Sequence, residues 1–195
     1  DIRKLVATGE FTLGPQVKEF EGKFTILCGV KHAVGVNSGT DALILILKAL
    51  GIGPGDEVIT VPNSFIATAN AIVLVGARPV FVDVDDEYLM DANKAREAIT
   101  EKTKAILPVH LTGNPVFMPN FQGLFYNDHG WRVDYDPYIP VIEDAAQAID
   151  AEIGTKKVGS WGIAGAFSLH PLKNMNVWGD GGVVTTNDDK LAEKI

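Results

Sequence analysis

Lys173 stands in Phe167-Ser168-Leu169-His170-Pro171-Leu172-Lys173-Asn174, where a β-rich run ends and a proline turns the chain into a loop. From there its amine can reach past the strand end and form a Schiff base with an aldehyde. That chemistry needs an unprotonated amine, and burial beside other cations lowers a lysine pKa in the required direction. A lysine in a loop also reads as a plain solvated charge. Ser168 offers a hydroxyl donor to a phosphate oxygen. Asp144, in Glu143-Asp144-Ala145-Ala146-Gln147, follows the apolar run Ile139 to Ile142. It therefore sits at the carboxyl end of a strand, where open α/β sheets place their ligand crevice. A carboxylate there either pairs with a cation, such as a protonated ring nitrogen, or caps a following helix.

Asn37-Ser38-Gly39-Thr40 lies between a strand and a helix. Backbone N–H groups and the positive end of a helix dipole converge at such a junction, which suits phosphate, although the tetrapeptide alone favours Ser38 or Thr40 acting as an ordinary N-cap. Phe65, just past another strand, is either a stacking surface for an aromatic ligand or a core residue. His110 ends a further strand and is either a substrate contact or a satisfied structural histidine.

The elements that must hold these residues alternate. Strand-like runs at His32 to Val36, Glu57 to Val61 and Pro79 to Val84 are each followed by helical patterns, at Ala42 to Leu50, Ala67 to Val75 and Lys94 to Ile99. Such βαβ units imply a largely parallel sheet. Further strands are expected at Ala105 to Val109, Val141 to Glu143, Gly165 to Ser168 and Gly182 to Thr186, several of them apolar throughout as in a sheet covered on both faces. The run Gly51-Ile52-Gly53-Pro54-Gly55-Asp56 is a turn, and Pro115 to Pro140, rich in proline and aromatic residues without period, is read as a loop.

At 195 residues with 46% hydrophobic residues, the chain suffices for one domain with a real core. Cys28 is its one cysteine, which excludes an internal disulfide, and no apolar run is long enough for a membrane-spanning helix. A net charge of −8 argues against nucleic acid and anionic membranes as partners, and a soluble cytoplasmic protein is expected. The chain opens in an apparent helix at Ile2 to Val6 and stops inside another, Lys190 to Ile195, so it reads as a fragment.

Taken in order, Ser38-Gly39-Thr40-Asp41-Ala42-Leu43, Gly53-Pro54-Gly55-Asp56-Glu57-Val58, Phe65, Glu143-Asp144-Ala145-Ala146-Gln147, Ser168 and Lys173-Asn174 resemble the DegT/DnrJ/EryC1/StrS family. These are fold type I, pyridoxal-phosphate-dependent aminotransferases acting on nucleotide-linked keto sugars. The resemblance runs from Phe11-Thr12-Leu13-Gly14-Pro15 to the end, except for Pro115 to Pro140, where the family usually has a regular helix. It implies an α/β fold with a largely parallel seven-stranded sheet sandwiched by helices. Residues 1–195 would form the cofactor-binding large domain, incomplete and lacking the family's small C-terminal domain.

Lys173 would then carry pyridoxal 5′-phosphate and shuttle protons, and Asp144 would pair with the pyridine nitrogen. Gln147 would meet the ring-oxygen side, Phe65 would stack on the ring, and Gly39, Thr40 and Ser168 would hold the phosphate. The reaction implied is ping-pong transfer of an amino group, typically from glutamate, to a sugar ketone or aldehyde in amino-sugar or polysaccharide biosynthesis, by a homodimer with no metal. A related sugar dehydratase has histidine where this chain has Lys173, which argues against dehydration. The rival of another class is a non-catalytic cofactor-binding remnant or regulatory module lacking the substrate domain.

Overall fold

The computed structural model describes residues 2–122 and 139–195. Seven α-helices are formed among them: α1 (Ile2–Thr8), α2 (Pro15–Cys28), α3 (Gly39–Ala49), α4 (Ile66–Leu74), α5 (Ala92–Glu97), α6 (Pro119–Gln122) and α7 (Asp189–Lys194). The strands are β1 (His32–Val36), β2 (Glu57–Thr60), β3 (Arg78–Phe81), β4 (Thr103–Ile106), β5 (Ile142–Asp144), β6 (Glu152–Ile153), β7 (Lys156–Lys157), β8 (Ala164–Ser168) and β9 (Gly182–Thr186).

The alternation expected from β1 to β4 is present because local signals agree. In α3, Ser38 is the N-cap, its Oγ accepting from the Asp41 N–H at 3.0 Å; Asp41 lies in the first turn and Lys48 in the last. Leu43, Ile46 and Leu47, at helical spacing, are buried. The turn after α3 uses the left-handed glycines Gly51 and Gly55, and Asp56 accepts from the Gly53 N–H at 2.9 Å. Pro79 is tolerated in β3 because β3 is an edge strand of its ladder.

The expected single, largely parallel seven-stranded sheet is corrected in two respects. The strands form a four-stranded ladder, β1-β9-β8-β5, and a three-stranded one, β3-β2-β4, with β6 and β7 a separate hairpin. Between β4 and β5 there are only isolated parallel bridges, Ile106 to Val141 and Val109 to Asp144. Pro108 and Pro140 stand at this seam without N–H donors, so a regular ladder cannot form. Their carbonyls still accept, from Asp144 and Ile106 respectively, each at 3.0 Å.

In addition, β9 runs antiparallel to both β1 and β8. The segment between β8 and β9 contains no helix to carry the chain to the opposite sheet edge, and the Leu169 N–H bonds the Gly181 carbonyl at 2.8 Å. The chain thus re-enters from the edge it left.

Helices do sandwich the strands. Ala166 and Val184 pack with Leu43, Ile46 and Leu47 of α3, whereas their neighbours Phe167 and Val183 pack with Phe24 and Cys28 of α2. Because side chains alternate along a strand, α3 and α2 lie on opposite faces. Burial pushes the Cys28 thiol up to about 12, so it behaves as a core residue.

In the segment read as a loop, the described part carries α6 and buries Val116, Met118 and Phe121. Tyr126, Trp131, Tyr135, Asp136, Pro137 and Tyr138 lie outside the described residues. No helix among the described residues is long and apolar enough to cross a membrane, and no cluster of metal-ligating side chains occurs among them.

Candidate functional site

Strand direction decides which residues share an edge. Since β1 and β8 are both antiparallel to β9, and β5 is parallel to β8, the carboxyl ends at Val36, Ser168 and Asp144 point the same way. The parallel bridges across the seam and the parallel β2–β4 pairing add the ends that lead to His110 and Phe65. Every residue singled out in the sequence therefore belongs to one edge of the strands or to a loop leaving it.

Gly39 and Ser168 are in direct contact. A Cβ on Gly39 would stand 2.6 Å from the Ser168 Cβ, so glycine is required for the start of α3 to approach the end of β8. Gly182 is equally confined, since a Cβ there would collide with the Ser38 carbonyl. Ser38 does cap α3, yet the cap engages Asp41; as first-turn residues, Gly39 and Thr40 have no intrahelical carbonyl for their N–H groups. The two readings of this tetrapeptide do not exclude each other: one hydroxyl caps the helix, and the first-turn donors beside Ser168 stay available to an anion.

Asp144 is buried at 4% exposure. One carboxylate oxygen accepts from the Thr68 hydroxyl at 2.7 Å and the other from the Ala146 N–H at 3.2 Å. Burial pushes its pKa above the usual carboxylate value, against those two hydrogen bonds and the positive charge of Lys173, which lower it. Two hydrogen bonds leave much of a carboxylate's accepting capacity unused, so the site suits a cationic N–H.

The sign of the shift gives a prediction. A raised folded pKa means that the native chain holds the Asp144 proton more tightly than the unfolded chain does. The stability this brings is complete below the unfolded value, about pH 3.9, and is lost as pH rises through the folded value. In the ligand-free protein, the melting temperature of wild type relative to Asp144→Asn should therefore fall as pH rises above about 4. A difference that stays flat across paired thermal melts would contradict the burial argument.

Thr68, which sequence reading did not single out, ties Asp144 to Phe65: its N–H donates to the Phe65 carbonyl at 3.1 Å and its hydroxyl to Asp144. The signal available was its position three residues after Phe65 in the opening turn of a helix. Phe65 is 67% exposed, which removes the core reading and leaves its ring available for stacking.

His110 is wholly buried and structural. Its Nδ1 accepts from the Val116 N–H at 3.0 Å, so Nε2 carries the proton and donates to Glu143 at 3.2 Å. Glu143, also wholly buried, accepts in addition from the N–H groups of Gly159, Trp161 and Gly162, each at 2.8 Å.

Lys173 is half-buried, and its backbone N–H bonds the His170 carbonyl at 2.8 Å. With Gln147, Thr112, Gly113 and Asn174 it lines an open cleft of about 540 Å³. Phe65, Asp144, Gly39, Thr40 and Ser168 are not in the wall of that cleft; they follow the strand edge beside it. Gln147 accepts from the Thr112 N–H through Oε1 at 2.7 Å. The edge therefore combines an anion cradle, a buried carboxylate, an exposed aromatic face and a lysine amine. That is the set needed to hold a phosphorylated, cationic, aldehyde-bearing ring.

The family model for the DegT/DnrJ/EryC1/StrS aminotransferase family matches residues 1–195. The UDP-N-acetyl-3-dehydro-alpha-D-glucosamine 3-aminotransferase of Acidithiobacillus ferrooxidans is 50% identical over all of this chain and 50% of its own length. Among solved structures, DesV of Streptomyces venezuelae, in complex with a ketimine intermediate, is 42% identical with a TM-score of 0.88, covering 99% of this chain and 50% of that one. NtdA of Bacillus subtilis with bound cofactor PMP is 36% identical with a TM-score of 0.87, over 99% of this chain and 42% of that one. The chain spans about half the length of the curated relatives it matches.

Proposed function

The chain belongs to the DegT/DnrJ/EryC1/StrS aminotransferase family, whose members depend on pyridoxal phosphate, and on that premise we propose that it is the cofactor-binding large domain of a nucleotide-sugar aminotransferase. The observation that carries the reading is the convergence of Gly39, Thr40 and Ser168, the buried Asp144, the exposed Phe65 and the half-buried Lys173 along one strand edge. The substrates proposed are a nucleotide-linked keto sugar and an amino-acid donor, glutamate, and the product an amino sugar for polysaccharide or related biosynthesis. The whole protein is proposed to work as a cytoplasmic homodimer, with neither nucleic acid nor membrane as partner.

The residues fit pyridoxal 5′-phosphate on two counts: the Gly39–Ser168 contact leaves first-turn donors for a phosphate, and the buried Asp144 forms no salt bridge among the described residues. When bound, the cofactor supplies an electron sink for the carbanion left when a substrate carbon loses its proton. Asp144 would keep the ring nitrogen protonated, because a buried carboxylate is stabilised most by a charged N–H beside it. Thr68 fixes the carboxylate's orientation through its hydroxyl. Phe65 would offer a face for the ring to stack on, and Gln147 would meet its oxygen. Lys173 would be the point of covalent attachment and, with its amine free, would carry the proton to and from the substrate carbon.

Incubation with pyridoxal phosphate, borohydride reduction and peptide mass spectrometry test this reading directly. Stoichiometric phosphopyridoxyl label on Lys173 is expected. Label scattered over surface lysines, or none on a folded protein, would overturn it.

A further inference from the structure

We propose that the turn His110-Leu111-Thr112-Gly113 is a positioning element for Gln147, with the Thr112 N–H deciding which end of that side-chain amide faces the ligand. The inference rests on the cofactor-site reading above and deepens it. A main-chain N–H can only donate, and the Thr112 N–H lies 2.7 Å from Gln147 Oε1. The oxygen end of the amide is therefore consumed by the protein, and the Nε2 end, with its two N–H donors, is left for the cleft that Gln147 and Lys173 both line. Gln147 thus recognises an acceptor, an oxygen carrying negative charge on the ring, and not a donor.

The turn is built for this at some strain. Thr112 lies in the left-handed region, at φ 56° and ψ 18°, which a β-branched residue rarely adopts, and Gly113 follows at φ 89°. Both ends of the turn are clamped. The His110 N–H donates to the Asp144 carbonyl at 3.0 Å, its imidazole is held by Val116 and Glu143, and its carbonyl accepts from the Gly113 N–H at 3.2 Å. A Cβ on Gly113 would stand 3.1 Å from the Gln147 carbonyl oxygen, so turn and glutamine backbone are also in contact. The strand end that holds Asp144 thereby also sets the direction in which Gln147 points, and the two ligand contacts keep a fixed relation.

A double-mutant cycle on cofactor affinity, read by absorption titration with pyridoxal phosphate, tests the coupling. Gly113→Ala, strained at its positive φ and pressed on Gln147, should weaken binding by about tenfold, an effect that should disappear when Gln147 is already alanine. Gln147→Glu keeps an oxygen for the Thr112 N–H but puts a negative charge where the donors stood. It should weaken binding similarly and raise the pH midpoint of the bound cofactor's visible absorption by about one unit, since a nearby negative charge favours the protonated form. This second variant needs no change in the turn and stays informative if Gly113→Ala does not fold.

An unchanged effect of Gly113→Ala in the Gln147→Ala background would overturn the positioning role. An unmoved midpoint in Gln147→Glu would overturn the donor assignment. Wild-type protein that takes no cofactor would instead overturn the proposed function on which the inference rests.

Discussion

Lys173→Ala is expected to lower the kcat of amino transfer by the whole protein at least about 10³-fold, because one side chain supplies both the attachment point and a proton carrier, and general acid–base transfer alone is worth about 10²–10⁴. Its loss should leave the fold intact. Among the described residues Lys173 donates only the backbone hydrogen bond to His170, which alanine keeps, and its neighbour Leu172 is 88% exposed. Steady-state rates at saturating cofactor, with thermal melts as the folding control, make the comparison. Should kcat fall less than tenfold while cofactor stays bound, Lys173 is not the proton carrier.

Glu143→Ala, in contrast, should act through stability and remove the folded state. The wholly buried carboxylate receives four hydrogen bonds, three of them from backbone N–H groups, of which that of Gly159 is fully buried. Leaving buried donors unsatisfied costs about 1–3 kcal/mol each, against a total stability of about 5–15 kcal/mol for a typical domain. Glutamine is no remedy. One carboxylate oxygen faces His110 and Gly159, the other Trp161 and Gly162, so either orientation of an amide sets its NH₂ against donors. Urea denaturation of Glu143→Gln is expected to show a loss of several kcal/mol, and a variant as stable as wild type would mean that the pocket re-forms around the amide.

How much of this was legible in the sequence depended on whether the deciding contact was local. The helix α3 announced itself through an N-cap serine and apolar residues at helical spacing, all within eleven residues. The positions of Asp144 and Lys173, at and just beyond strand ends, were likewise legible, whereas the roles proposed for them rest on the family resemblance. The helix α2 went unread although Pro15 at its first turn and Gly29, left-handed at φ 66°, bracket it, because its inward residues Phe20, Phe24 and Cys28 are sparse among polar ones. The reversed direction of β9 could not be read at all, since it follows from where the preceding loop runs, not from any residue within Gly182–Thr186. His110 stayed ambiguous for the same reason: its partner Glu143 is 33 positions away and comes close only when β4 and β5 lie side by side. Thr112 carried no sequence signal, because its contribution is a main-chain N–H.

With no N–H at Pro108 or Pro140, the two ladders are joined by the hydrogen bonds from the Ile106, Asp144 and His110 N–H groups to the Pro140, Pro108 and Asp144 carbonyls and by side chains, among them Ala105, Leu107 and Ile142 in one shared cluster and Ile106, Val109 and Val141 in another. Opening the seam would break those bonds while each ladder keeps its own, so a sub-global opening there is expected to cost less than one within either ladder. Phe65 belongs to the β2 side, whereas Asp144, Ser168 and Lys173 belong to the β5–β8 side. A ring gripped by all four acts as a rivet across the seam, and slower amide exchange at Ile106, His110 and Asp144 is the imprint it would leave on the protein.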